Sequence, residues 1–132
     1  MRIGRALIDE IAAHAREEAP NECCGLIAGR DGQATAVHRA RNSFASPLRY
    51  EVHPQDQLRI TNEIEDAGEE IAGIYHSHTK SDAYPSQTDI NLAENWPDPV
   101  YLICSIADAE PVVRGFEIRD GSVSEVELEV ER

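Results

Sequence analysis

Two histidines, a serine and an aspartate lie close together in the middle of the sequence, between residues 76 and 89. His76 and His78 are two residues apart at the end of a predicted strand, so their side chains point to the same face. Asp89 follows a polar loop and falls in the first turn of the next predicted helix, which can carry its carboxylate back to the strand end. Two imidazoles and one carboxylate form the three-ligand set typical of catalytic zinc, with the fourth position left for water. The spacing therefore predicts a Zn²⁺ site.

A simpler explanation exists for parts of this pattern. Ser86 and Asp89 have the Ser-x-x-Asp spacing of a capping box at a helix N-terminus, and a lone His-x-His pair is often exposed and without function. The joint spacing of all four residues is more specific, because it arises by chance in roughly one chain per thousand of this length. Capping and metal binding are also compatible, since Ser86 can cap the helix while its hydroxyl faces the metal.

A water bound to such a metal needs a base, and one candidate lies upstream. Glu22 stands just before residues 24–28, a short apolar run that predicts a buried strand. A surface acid at the start of a strand is the alternative explanation for this residue, and its position alone leaves both open.

Taken in order, these residues resemble the JAMM motif of the MPN-domain zinc peptidases, and the similarity extends over essentially the whole chain. The matching positions are Glu22, Cys24-Gly25-Leu26, His76-x-His78 and Ser86-x-x-Asp89. The resemblance implies a cytidine-deaminase-like α/β fold with zinc on His76, His78 and Asp89. It also implies that Glu22 is the general acid/base and that Ser86 donates to the oxyanion.

The resemblance further implies hydrolysis of a peptide or isopeptide bond after the C-terminal Gly-Gly of a ubiquitin-like protein. Most family members have proline after the second histidine, whereas this chain has Thr79. The stretch 75–79, with 83–86 following, is most similar to the bacterial CysO-cysteine peptidase branch, whose members release cysteine from a small ubiquitin-like sulfur-carrier protein. Thr79 and Tyr84 lie in the loop over the predicted metal, so we expect them to contact substrate. We also expect the extended substrate tail to add as a strand beside the histidine pair.

The sequence also bears on three other functions. Cleavage of the isopeptide bond between a ubiquitin-like modifier and lysine remains open. An MPN-fold scaffold without activity would not need the acid and all the ligands, which are present here, so catalysis is favoured. A nucleoside deaminase is excluded because the sequence has no His-x-Glu and no Pro-Cys-x-x-Cys motif.

Composition excludes further classes. The chain has 132 residues, 41% of them hydrophobic, which predicts a single globular domain over residues 1–132. A net charge of −13 repels phosphate backbones and anionic lipids, so neither nucleic acid nor membrane is expected as a partner. No signal peptide is visible, and three cysteines, two of them adjacent, are expected to be reduced thiols. We therefore expect a cytoplasmic protein, and the sequence is compatible with a homodimer.

The elements that must position the site alternate between helix and strand. Helices are predicted over residues 5–18 and 54–68 and from residue 86, and strands over 24–28, 34–40, 49–53, 71–77, 100–106, 112–118 and 126–130. This alternation predicts an α/β fold in which helices flank a single mixed sheet. Helical periodicity leaves His14 on or beside the charged side of the first helix, and it turns Leu58 and Ile64 of the second helix inward.

Overall fold

Eight strands form one mixed sheet in the computed structural model, which describes residues 1–132, and three helices pack against that sheet. The elements are β1 (Arg2–Gly4), α1 (Arg5–Glu18), β2 (Cys24–Arg30), β3 (Gln33–Ala40), α2 (Pro54–Asp66), β4 (Glu70–His78), α3 (Gln87–Ala93), β5 (Val100–Ser105), β6 (Val112–Arg119), β7 (Ser122–Val126) and β8 (Glu129–Glu131). The predicted α/β class, a single mixed sheet flanked by helices, is confirmed. No helix combines the length and the apolar character that a membrane crossing requires.

The histidine-bearing strand β4 lies in the interior of the sheet. The strand order is β7-β6-β5-β4-β2-β3-β1-β8, so β4 pairs antiparallel with β2 and parallel with β5. The pairing with β5 continues from Gly73 to His78. Because both sides of β4 are already hydrogen-bonded, a substrate tail cannot add beside it, and that expectation was wrong.

Each face of the sheet carries its own hydrophobic core, since successive strand residues point to opposite faces. On one face, Ile74 of β4 packs with Ile60 and Ile64 of α2. On the other face, Tyr75 packs with Ile11 and other residues of α1. The central strands are therefore buried on both faces, which explains why their sequences are almost continuously apolar.

Two predictions of burial in the helices need correction, because His14 was expected on or beside the charged side of the first helix and Leu58 in the core. His14 is buried in α1, 3% exposed, and its Nδ1 lies 2.7 Å from the hydroxyl of Tyr75. The Tyr75 ring reaches α1 across Gly25, where an added Cβ would lie 2.4 Å from that ring. Leu58 is 65% exposed instead of buried, whereas Ile64 faces the core as predicted.

Two predicted strands differ from the structure, and one observed strand was not predicted. The predicted strand over 49–53 is a loop whose only ladder contact is the bridge between Asn42 and Val52. The predicted tail strand divides into β7, which pairs with β6, and β8, which pairs with β1 at the opposite edge of the sheet. The three-residue strand β1 is too short to give a periodic signal, and no strand was predicted there.

The buried imidazole of His14 should make stability depend on pH. Burial lowers the pKa of His14 to about 4, so as pH falls through about 6.5 the unfolded chain gains a proton that the folded chain does not. We expect the free energy of unfolding to decrease between pH 6.5 and 4, by at most about 3 kcal/mol from this group. His14→Gln, which cannot titrate, should show a flatter profile in chemical denaturation. Parallel profiles of unfolding free energy against pH for the two proteins would contradict the lowered pKa of His14.

Candidate metal centre

Three side chains converge at the end of β4. His76 and His78 occupy alternate positions at this end, and α3 brings Asp89 back to them from its first turn. The Nε2 atoms of the two histidines are 3.2 Å apart, and the Asp89 Oδ2 atom lies 3.1 Å from the first and 3.0 Å from the second. None of the three residues is more than 5% exposed. The residues predicted as metal ligands are therefore brought together.

The geometry of these three atoms fits a small divalent cation. Bonds of about 2.0–2.1 Å in a tetrahedral arrangement place neighbouring ligand atoms about 3.3 Å apart, close to the separations in this structure. Each residue offers one ligand atom, and all three atoms lie within 4.8 Å of one another. Nitrogen and oxygen donors of this kind suit Zn²⁺ well.

Surrounding groups orient the two imidazoles. The Nδ1 of His78 lies 2.8 Å from the carbonyl oxygen of Asp82, a contact that would keep the proton on Nδ1 and leave the Nε2 lone pair for a metal. The ring of His76 stacks on Tyr50, with ring centroids 4.2 Å apart and planes inclined by 15°. The Nδ1 of His76 has no hydrogen-bond partner. Sequence reasoning missed Tyr50, because no spacing rule connects a loop tyrosine to a histidine 26 residues later.

Helix capping and metal-site geometry come from the same carboxylate. The Asp89 amide donates to the Ser86 hydroxyl oxygen at 3.1 Å, and Asp89 Oδ2 accepts from the Ser86 amide at 3.0 Å, which completes a capping box. That same Oδ2 faces both histidines. Burial alone would raise the pKa of the Asp89 carboxyl, but the two imidazoles and the Ser86 amide outweigh burial and hold this pKa below its ordinary value.

Glu22 lies between α1 and β2 and is only 4% exposed, so it is not a surface acid. Its Oε1 atom is buried without a hydrogen-bond partner. Burial raises the pKa of the carboxyl to about 8, while His78 lowers it and Asp89 raises it further. Both of these candidate ligands thus act electrostatically on Glu22, which makes this carboxyl a candidate for moving protons at neutral pH.

The remaining predicted residues lie on the loop that joins β4 to α3 or at its ends. Ser86 is exposed, and its hydroxyl hydrogen is free because the capping contact uses an oxygen lone pair. Tyr84 is 46% exposed and packs edge-on against Phe116. Thr79 donates through Oγ1 to the carbonyl oxygen of Pro20 at 3.4 Å. Contact of Thr79 and Tyr84 with substrate stays a prediction.

Comparison with known proteins agrees with this arrangement. Residues 4–119 match the family model described as prokaryotic homologs of the JAB domain. The chain belongs to the JAMM/MPN+ family. This assignment confirms the resemblance seen in the sequence, and the cytidine-deaminase-like fold implied for the family agrees with the observed sheet.

Individual relatives of this JAMM/MPN+ chain carry two different names. The chain is 38% identical to a CysO-cysteine peptidase of Mycobacterium tuberculosis over 127 residues, which cover 94% of this chain and 86% of the relative. It is 47% identical to a desampylase of Haloferax volcanii over 105 residues, which cover 74% of each protein. The solution structure of protein DSY2949 from Desulfitobacterium hafniense superimposes with a TM-score of 0.90 at 34% identity, covering 99% of this chain and 93% of that one.

Replacement of one candidate ligand should remove the metal. We expect purified His78→Ala to contain far less zinc than the unchanged protein, which should hold about one ion per chain if the three residues form the site. Elemental analysis by mass spectrometry measures this directly. His38→Ala is the matched control, because it removes an imidazole from β3, outside the three-residue cluster. Equal zinc contents in both variants would contradict the ligand assignment.

Proposed function

We propose that this protein is a zinc-dependent hydrolase that cleaves the bond after the C-terminal Gly-Gly of a small ubiquitin-like sulfur-carrier protein and releases cysteine. One observation carries the proposal: three ligand atoms meet at 3.0–3.2 Å in a buried site that also acts electrostatically on a buried carboxyl, Glu22. A scaffold protein has no need for this combination. Membership of the family and the CysO-cysteine peptidase relative support the choice of substrate class.

In this proposal His76, His78 and Asp89 hold the cation through Nε2, Nε2 and Oδ2. A Zn²⁺ ion bound there supplies Lewis-acid activation of water and of the scissile carbonyl at neutral pH. The protein's own contribution is orientation: β4 fixes the spacing of the imidazoles, and the capping box of α3 aims the carboxylate. Three protein ligands, as opposed to four, are characteristic of zinc sites that carry out catalysis.

Glu22 is the proposed proton carrier. Its carboxylate takes a proton from the attacking water and then gives it to the leaving amine, a contribution of about 10²- to 10⁴-fold in rate. Burial, which raises the pKa of Glu22 to about 8, makes the carboxylate a better proton acceptor than an exposed glutamate. A cation bound nearby would favour the ionised carboxylate and so lower the pKa of Glu22. Because burial and the cation act in opposite directions, both the protonated and the ionised form of Glu22 are accessible.

Ser86 is the proposed donor to the oxyanion. Its oxygen accepts a hydrogen bond from the Asp89 amide. Its hydroxyl group can donate a hydrogen bond to the scissile carbonyl oxygen, on which negative charge develops. One such donor is typically worth about 3 kcal/mol of transition-state stabilisation. The substrate tail, which cannot pair with β4, would have to pass over the strand end near Thr79 and Tyr84.

The second candidate is cleavage of an isopeptide bond between a ubiquitin-like modifier and lysine. It is kept because the relative named desampylase shares higher identity over a shorter span than the CysO-cysteine peptidase does. Both candidates use the same metal, acid and oxyanion donor. They differ only in the group that follows the Gly-Gly tail.

A direct assay separates the two candidates. Zinc-loaded protein is incubated with carrier proteins that end in Gly-Gly-Cys or that carry a Gly-Gly isopeptide bond to lysine, and products are identified by intact-mass spectrometry. We expect release of free cysteine and a carrier ending in Gly-Gly. Cleavage of the lysine conjugate alone would support the second candidate, and cleavage of neither by the loaded protein would refute both.

Replacement of the proposed proton carrier should separate catalysis from metal binding. We expect Glu22→Gln to retain zinc and to lose turnover by about 10²- to 10⁴-fold, because the amide cannot take a proton. Zinc content and single-turnover rates are measured on the same preparation. Unchanged turnover in a zinc-loaded Glu22→Gln protein would remove Glu22 from the mechanism.

A further inference from the structure

The backbone of Glu22 is held by a loop and not by the sheet. The pairing of β2 with its neighbours begins at Cys24, two residues later. The Glu22 amide donates to the carbonyl oxygen of Ser46 at 2.9 Å, and the Glu22 carbonyl accepts from Asn42 Nδ2 at 3.1 Å. The position of this residue therefore depends on the loop over residues 42–51, between β3 and α2.

The Asn42 side chain also holds that loop together. Besides Glu22, its Nδ2 atom donates to the carbonyl oxygen of Arg49 at 3.0 Å. Its Oδ1 atom accepts from the amides of Phe44 at 3.0 Å and Glu51 at 3.1 Å. Both donor hydrogens and both acceptor lone pairs are used, so the side-chain amide has one orientation that satisfies all four partners.

These contacts connect Glu22 to the metal ligands. Arg49 and Glu51 are the two chain neighbours of Tyr50, whose ring stacks on His76. The Asn42 side chain thus bonds both to Glu22, the candidate acid, and to the segment around Tyr50, which packs against the candidate ligand His76. No sequence pattern indicates this role, because Asn42 lies outside the motif.

We propose that Asn42 is a positioning residue, which holds the Glu22 backbone and thereby keeps the buried Glu22 carboxyl in place for proton transfer. The inference rests on the role proposed for Glu22 and deepens it. A second contact, from the Cys23 amide to the Ser77 hydroxyl oxygen at 2.8 Å, ties the next residue to β4. Loss of the Asn42 side chain should therefore remove the contact to the Glu22 carbonyl, while the contact between Cys23 and Ser77 and the strand pairing remain.

The first test measures kinetics and metal content together. Zinc-loaded Asn42→Ala is assayed at saturating zinc on the Gly-Gly conjugate that the unchanged protein cleaves. Misplacement of a catalytic group by about 1 Å can cost about 100-fold, so we expect kcat to fall by about 10- to 100-fold with KM nearly unchanged. Ser43→Ala, an exposed change in the same loop, is the matched control and should keep kcat.

The second test asks whether Asn42 acts through Glu22. In a double-mutant cycle, Asn42→Ala should lower kcat when Glu22 is intact. It should add little to the loss of kcat caused by Glu22→Gln, because the effects of coupled residues are not additive. Hydrogen exchange followed by NMR gives a readout without catalysis. The Glu22 amide should exchange faster in Asn42→Ala than in Ser43→Ala, since its acceptor on Ser46 is then less fixed.

The outcomes distinguish the two levels of the proposal. If Glu22→Gln keeps full turnover, the proposed mechanism fails and the role of Asn42 fails with it. If Glu22→Gln loses turnover while a folded Asn42→Ala keeps both kcat and slow Glu22 amide exchange, only the role of Asn42 is overturned. If Asn42→Ala does not fold, Asn42→Asp decides, because it keeps the acceptor for Phe44 and Glu51 and removes the donor to Glu22.

Discussion

A single carboxylate oxygen connects the local structure of α3 with the candidate metal centre. Oδ2 of Asp89 accepts the Ser86 amide and faces the Nε2 atoms of His76 and His78 at 3.1 and 3.0 Å. The capping interaction fixes where the helix begins, and the start of the helix fixes where the oxygen points. The three residues are buried and their two Nε2 atoms and Oδ2 lie 3.0–3.2 Å apart, an arrangement that one shared divalent cation would suit.

The sheet supplies the rigid part of this arrangement. β4 is paired on both sides and packed on both faces, so the two imidazoles at its end are held by an interior strand of the sheet. Glu22 is held differently, by hydrogen bonds from a loop. In the proposed mechanism, ligands fixed by the sheet and an acid held by a loop would separate metal binding from proton transfer, so single replacements are expected to affect one without the other.

Much of the fold and the site was predictable from the sequence, and the failures have physical causes. Interior strands such as β4 contain apolar runs that can be recognised in the sequence. β1 has only three residues and β8 pairs at the far edge of the sheet, so neither was predicted correctly. His14 was placed at the surface because helical periodicity cannot reveal a hydroxyl partner on a distant strand. The loop over 49–53 has strand-like residues, but the Asn42 side chain takes the Arg49 carbonyl and the Glu51 amide, and the only ladder contact is the bridge to Val52.

The sequence by itself determined the identity and spacing of the groups at the candidate site, because alternation along a strand and capping at a helix start are local rules. It also determined the family and the class of fold. Only the tertiary structure decided that Glu22 is buried, that β4 has no free edge for a substrate strand, that Asn42 donates to the Glu22 carbonyl and that Tyr50 stacks on His76. These properties depend on contacts between segments far apart in the chain, which no local pattern encodes.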